Sequence, residues 1–393
     1  MIIAIDVETT MKPFFLPWQK EAQLVMVSIY TSTRDRLTWW FNHPVATQTP
    51  RDCIQEINEI VQSADRVVAH NMKFDYQWLT HIGVELDKRK LFCTMVAEYL
   101  IRGHQRMDGL ALDDLCEFYS IPKKKDKVKI YWDAGVETYD IPAEILQPYC
   151  EQDCVNALAL FKRQWPTLQR LGLSTVFALE MQALKAYAEM EKNGMLLDTD
   201  LLKKHEDEFT KDLNLIDCRL CDLLGIENIN SNAQLSVGLF GGEIEEDGYA
   251  PLVDEEGNEI RFKSGDRKGE IRYQKITKKK KLEGIGFRPE QFGIAETKNP
   301  GIYETNVTAL KSLKPKTETQ KEVVRLLFER SRMSQMLKTY FTGLLNIQVD
   351  KYVHPTLNQA LTKTGRTSCK RPNLQNQPRG NTGPVKECFI TRY

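Results

Sequence analysis

Four carboxylates and a phenol in the first 153 residues could do chemistry together: Asp6, Glu8, Asp75, Asp153 and Tyr149. Asp6 and Glu8 sit in Met1-Ile-Ile-Ala-Ile-Asp-Val-Glu-Thr-Thr, an apolar, β-branched run of strand length broken by acids two positions apart. Alternate residues of a strand share a face, so residues 6 and 8 project together. An unpaired carboxylate among apolar neighbours costs on the order of several kcal/mol, comparable to a domain's whole stability margin. Two on one face therefore call for a cation. An edge strand wetting its polar face would not need Ile and Val at its other positions.

Asp75 follows a second strand-like run, Arg66-Val-Val-Ala-His-Asn, and opens the helical pattern Phe74-Asp-Tyr-Gln-Trp-Leu-Thr. Strand-to-helix junctions at one edge of a sheet are where α/β proteins place ligands. Taken alone, His70-Asn71-Met-Lys-Phe-Asp75 would pass for an ordinary turn and helix start. The third element, Pro148-Tyr149-Cys-Glu-Gln-Asp153, has helical periodicity, and Tyr149 and Asp153 share one face at i and i+4. Such a face can offer a carboxylate to a metal and a phenol to a water; without the upstream acids it would read as a solvated surface.

In order and spacing, Asp-x-Glu at 6–8, Asn-x-x-x-Asp at 71–75 and Tyr-x-x-x-Asp at 149–153 resemble the three exonuclease motifs of the DEDDy family, the proofreading domain of DNA polymerases. The resemblance implies that Asp6, Glu8 and Asp153 hold a first divalent ion, that Asp6 bridges to a second, and that Asp75 supports the site, with water between. It further implies that Asn71 contacts DNA and that Tyr149 orients the attacking water. The two ions would stand about 3.5 to 4 Å apart, and hard oxygen donors favour Mg²⁺ or Mn²⁺ over zinc.

At 393 residues, 41% hydrophobic and 27% charged, the chain can fill more than one core, so two domains are expected. No apolar run approaches the roughly 20 residues that span a bilayer, and the first residues lead into a strand without a basic segment, so no membrane and a cytoplasmic location are expected. Nine scattered cysteines agree with a reducing compartment. Cys150 and Cys154 read as packing thiols, and Cys218 and Cys221 as helix residues without further zinc ligands. The zero net charge hides an asymmetry: residues 261–393 carry 28 Lys+Arg against 11 Asp+Glu, and the rest 26 against 43. The basic part could hold phosphates through salt-dependent contacts, whereas the acidic part should admit nucleic acid mainly where divalent ions screen it.

Periodicity places strands at 1–8, 23–31, 35–41 and 65–70 and helices near 51–63, 74–82, 92–101, 109–118 and 143–164. With the first resemblance, this predicts an α/β ribonuclease H-like exonuclease domain over 1–170. Beyond Trp165-Pro166 the pattern turns to long amphipathic helices at 174–192, stopped by Lys192-Asn193-Gly194, and at 199–224. These could straddle a duplex or pack as a hairpin on the first domain. From about 241 to 286, alternating stretches separated by Asp254-Glu-Glu-Gly-Asn and Ser264-Gly-Asp-Arg-Lys-Gly predict β-hairpins projecting from a mostly helical region. Lys278, Lys279, Lys280 and Lys281 would form a cationic tip that meets the phosphate backbone of DNA.

A second resemblance lies in Leu361-Thr-Lys-Thr-Gly365-Arg366-Thr-Ser-Cys-Lys-Arg-Pro372-Asn373-Leu374-Gln375-Asn376-Gln-Pro378, which looks like the thumb-to-palm segment of family A DNA polymerases. Asn230-Ser-Asn-Ala-Gln-Leu and Met336-Leu-Lys-Thr-Tyr-Phe are similar to thumb pieces of that family. The resemblance makes 171–393 a partial polymerase thumb with the start of a palm at 350–393. It implies that Arg366 donates to the terminal base pair and that Gln375 and Asn376 contact primer-template in the minor groove. Thr367 and Gln377 stand where the family usually has Leu and Ile.

After residue 350 only Glu387 supplies a side-chain carboxylate, too few for the two ions of nucleotidyl transfer, and no fingers helix is recognised. The expectation is therefore a 3′–5′ exonuclease part of a family A polymerase, acting on single-stranded or frayed 3′ ends of DNA and not synthesising by itself. A separate polypeptide would carry palm and fingers, unless the gene product is truncated. The competing readings are an RNA-trimming DEDD exonuclease, which leaves 361–378 unexplained, and a non-catalytic DNA-binding subunit, which would release no nucleotide.

Overall fold

The run that carries Asp6 and Glu8 becomes β1 (Ile2–Thr9), the middle strand of a five-stranded sheet. The computed structural model describes residues 1–11, 16–105, 109–123, 127–265, 267–378 and 383–391, with the side chains of 245–248, 277 and 278 outside the description. The described residues form two compact units, one of 1–198 with 347–382 and 386–393, the other of 199–346 with 383–385.

In the first unit β1 pairs antiparallel with β2 (Leu24–Thr31), which pairs with β3 (Arg36–Trp40). Helix α1 (Pro50–Ser63) follows, with Pro at its first turn and the Thr49 hydroxyl accepting the Asp52 N–H at 3.2 Å. It leads to β4 (Arg66–Ala69), parallel to β1. Next come α2 (Lys73–Ile82), closed by Gly83 at φ 102°, and the three-residue β5 (Leu91–Cys93), parallel to β4. The order is β3-β2-β1-β4-β5. The expected helix over 92–101 is corrected here. Leu91, Phe92 and Cys93 form an edge strand, and α3 (Thr94–Ile101) begins only after it. A short apolar run continuous with apolar helix residues has no period of its own to separate the two.

Helices α4 (Leu112–Phe118) and α5 (Lys129–Asp133) precede α6 (Ala143–Arg170), which runs past the expected end at 164. Pro166 removes one main-chain donor but the helix continues, because Leu168 is buried in the same core. That core holds Ile3, Ile5, Val7, Val67, Phe92 and Phe161, together with Phe177, Met181, Leu184 and Ala188 of α7 (Ser174–Asn193). At the end of α7, Gly194 has φ 59°, and a Cβ there would meet the Val353 carbonyl oxygen at 2.8 Å. Strand β6 (Met195–Leu196) follows.

In the second unit α8 (Thr199–Leu224) and α9 (Asn232–Phe240), the latter capped by Ser231, precede a two-stranded ladder of β7 (Gly242–Pro251) and β8 (Tyr273–Leu282). Between the strands, the expected turns form at Asp254–Asn258 and from Gly265. The cationic tip is corrected: Lys278–Lys281 lie in β8 at the end remote from those turns. Their backbone register pairs them with Glu246, Glu245, Ile244 and Glu243. A run of like charge gives no direction along a hairpin, so sequence alone did not distinguish base from tip. Helices α10 (Val307–Ser312), α11 (Glu318–Met336) and α12 (Thr342–Ile347) complete this unit. Leu220, Leu224, Leu239, Phe287 and Leu327 share its core, and Arg330 clasps Asp217 at 2.6 and 3.2 Å.

The chain then returns to the first unit. Strand β9 (Tyr352–Val353) pairs with β6, and β10 (Thr356–Asn358) pairs with β11 (Ser368–Lys370).

Candidate active site

Asp6 and Glu8 leave β1 on one face, and their carboxylate oxygens, with the Cys150 Sγ, all lie within 4.8 Å of one another. Asp6 is partly exposed and Glu8 buried. Asp75, in the first turn of α2, is buried at 2% exposure. Burial, then the Asp6 charge, push its carboxyl well above the ordinary carboxylate range, and Glu8 adds to this. The backbone N–H groups of Asp75 and Val7 oppose that rise. Asp153 is buried on α6. Its charge reaches the Cys154 thiol together with those of Asp6 and Asp75 and, after burial, drives that thiol's pKa up. The acids of β1 and α2 therefore feel one another, and acids of β1, α2 and α6 all act on one thiol.

The elements hold these groups by ordinary means. Glu151, between Tyr149 and Asp153, pins α6 to β3 by accepting from Arg36 at 3.1 Å and from the Thr38 hydroxyl at 3.3 Å. Tyr149 is half-buried, its ring edge-on against Trp132 at 5.7 Å. Asn71 sits in the left-handed region at φ 55°, a turn conformation Asn tolerates, and its carbonyl accepts the Phe74 N–H as α2 begins.

Two features escaped the sequence reading. Cys150, expected to be a packing thiol, is fully buried and donates to Asp6 Oδ2 at 3.2 Å. Burial, then Asp6 and Glu8, hold its pKa well up, which keeps the thiol a donor. Its place beside Tyr149, one turn from Asp153, was the available signal. The second is a buried junction around Glu191, which is 1% exposed. Its Oε1 accepts from Lys73 Nζ and from the Leu357 N–H at 2.5 Å; its Oε2 accepts from Gln77 Nε2 at 2.6 Å. Lys73 Nζ also donates to the Leu357 carbonyl, so one ion pair ties the start of α2 to α7 and β10. Nothing local announces a pair 118 residues apart.

The remaining expected contact residues lie outside the carboxylate cluster. Arg366, Gln375 and Asn376 are exposed on the first unit. Lys279 and Lys281 are exposed and Lys280 half-buried on β8, while the Lys278 side chain lies outside the described residues.

Asp6 and Glu8 beside a neutral thiol, with the buried Asp75 feeling both charges, are a hard-donor set, and the repulsion among these three acids is what a divalent cation would relieve. Residues 2–169 match the family of 3′-5′ exonuclease domains found in family A polymerases. Residues 253–393 match DNA polymerase family A itself. The chain belongs to that family, carrying its exonuclease domain and part of its polymerase region. Relatives include the DNA polymerase DpoZ of Salmonella phage PMBT28, 25% identical over 82% of this chain and 48% of the relative. DNA polymerase I of Bacillus caldotenax is 30% identical over 73% of this chain and 27% of the relative. The chain thus spans about half, or less, of these curated relatives. Its fold is similar to that of the POL domain of Pol1 from M. smegmatis, solved with DNA primer-template and dNTP. The TM-score is 0.65 and the identity 20%, over 99% of this chain and 55% of that one.

Proposed function

We propose that this chain is a divalent-metal-dependent 3′–5′ exonuclease that removes nucleotides from single-stranded or frayed 3′ ends of DNA. The observation that carries the reading is the convergence of Asp6 and Glu8 within 4.8 Å of one another, under the electrostatic influence of buried Asp75. Asp6, Glu8 and Asp153 would hold one Mg²⁺ or Mn²⁺ ion and Asp6 would share a second, with Asp75 supporting the site. Divalent ions bound there supply positive charge and Lewis acidity for phosphodiester hydrolysis. The chain's own residues do the positioning. Tyr149 presents its phenol to a water, and Cys150 fixes the Asp6 carboxylate through its S–H bond. Asn71, held in a left-handed turn, would contact the 3′ end of the DNA strand.

A sheet of order β3-β2-β1-β4-β5, antiparallel across its first three strands and parallel across the rest, supports a ribonuclease H-like exonuclease module over 1–170. Residues 171–393 form the polymerase-derived portion, in which Arg366, Gln375 and Asn376 meet primer-template and Lys278–Lys281 contact phosphates. That portion also disfavours the RNA-trimming alternative, which has no use for a polymerase segment over 253–393.

A labelled primer-template with Mg²⁺, with and without dNTPs, tests the proposal. The wild type should shorten the labelled strand and this chain by itself should not extend it, while Asp6→Ala should abolish shortening and weaken Mn²⁺ binding measured by electron paramagnetic resonance. Shortening that survives in Asp6→Ala would overturn it.

A further inference from the structure

Arg66 opens β4 at the end opposite the Asn71–Asp75 turn, and it opens onto a groove of about 380 Å³. Strand geometry puts on the order of 10 Å between the two ends of β4, and none of the four acids lines this groove. Five cations line it: Arg66, Lys88, Arg89, Lys90 and Lys185. This basic groove lies in the part of the chain that is otherwise acidic, residues 1–260 carrying 26 Lys+Arg against 43 Asp+Glu.

The groove's charge is only partly compensated, Asp87 acting on Lys185, and it is partly pre-arranged. Its sole lining carboxylate among the described residues is Asp87, which accepts a hydrogen bond from the Tyr76 hydroxyl. Nearby Asp65, which feels Lys90, is taken by the N-terminal ammonium. Lys185 Nζ is held by the carbonyls of Asp87 and Arg89, at 3.2 Å for the latter, and Arg89 Nη1 donates to the Gln62 carbonyl at 2.9 Å. Arg89 Nε is buried without a hydrogen-bond partner. Arg66 lies 4.4 Å over the Trp165 ring, and among the described residues it has no carboxylate within ion-pair distance. Desolvation alone lowers its pKa.

A half-buried guanidinium with no counter-charge, flanked by exposed Lys88 and Lys90, is built for an anion that brings its own charge. The guanidinium fork matches phosphate oxygens, and its plane can stack a base. We infer that this groove is a second, non-catalytic binding site for single-stranded nucleic acid, gripped at its phosphates by Arg66, Lys88 and Lys90. This inference does not rest on the exonuclease reading, because binding can be followed where no hydrolysis occurs.

The test is fluorescence anisotropy of a labelled (dT)₁₂ strand with the full chain in EDTA, across a salt series. The double variant Lys88→Glu/Lys90→Glu should bind at least ~10-fold more weakly. Lys88→Ala/Lys90→Ala should flatten the slope of log K against log salt by about 1.4, the change expected for two lost phosphate contacts on a single strand. The control Lys203→Glu/Lys204→Glu, equal in charge change and exposed on α8, should leave the affinity within twofold. Circular dichroism checks that all variants fold. An affinity unchanged in the groove variants, an equal loss in the control, or equally tight competition by poly-glutamate would each overturn the inference.

Discussion

Truncating Glu191 is the sharpest probe of how the site is held. In Glu191→Ala, Lys73 would remain with its side chain only 14% exposed and its ionic partner gone, while the Leu357 N–H and Gln77 amide lose their acceptor. Removing one partner of a buried pair typically costs about 3–5 kcal/mol, since the charge left behind is uncompensated. For a unit of this size each kcal/mol moves the melting temperature by roughly 2–4 °C, so a drop of roughly 6 to 20 °C is expected. Glu191→Gln keeps the shape and an acceptor, and should cost about 1–3 kcal/mol. Adding Lys73→Met to Glu191→Gln should recover part of that loss, because the stranded ammonium is then gone as well; the double-mutant cycle should give a coupling of about 2 kcal/mol. Thermal denaturation followed by circular dichroism measures the stabilities. Because Lys73 begins the helix whose first turn carries Asp75, the folded Glu191→Gln protein should also bind Mn²⁺ about 10-fold more weakly, as changes behind a metal ligand commonly do. A Glu191→Ala protein within about 1 kcal/mol of wild type, far short of the roughly 3–5 kcal/mol of a broken buried pair, would refute the idea that this junction holds the site.

Two further outcomes follow from the acids themselves. Since burial and the Asp6 and Glu8 charges raise the Asp75 pKa, the folded, metal-free protein keeps a proton there that the unfolded chain has already released. Its stability in EDTA should therefore fall as pH rises from near 4 through the raised pKa, with the full penalty present above it. Asp75→Asn should remove that part of the slope and saturating Mg²⁺ should offset the penalty; calorimetry across pH with an unchanged slope in the variant would contradict this. Cys150→Ala deletes the S–H donor 3.2 Å from Asp6 Oδ2, a bond worth about 0.5–1.5 kcal/mol, so Mn²⁺ affinity by paramagnetic resonance should weaken roughly 2- to 12-fold while Cys154→Ala leaves it nearly unchanged.

What could be read from the sequence, and what could not, divides along one physical line. Asp6 and Glu8 were legible because carboxylates violate the apolar pattern of a buried strand, and a violation shows against its immediate neighbours. Tyr149 and Asp153 were legible because i and i+4 is a local relation on a helix. The strand Leu91–Cys93 was not, since its apolar residues run straight into the apolar face of α3 and nothing marks the boundary. Lys73, Gln77 and Glu191 were hidden for a different reason: each is an unremarkable polar residue on an amphipathic helix, and only the fold brings the last within 2.6 Å of Gln77 and beside Lys73. The lysine run shows the same limit from the other side. Glu243-Ile-Glu-Glu246 and Lys278–Lys281 mirror each other across the hairpin, and pairing the two runs by charge would have placed the lysines at its base. A site's polar violations can thus be found by reading along the chain, whereas the contacts that hold it rigid must be sought as complementary pairs between distant segments.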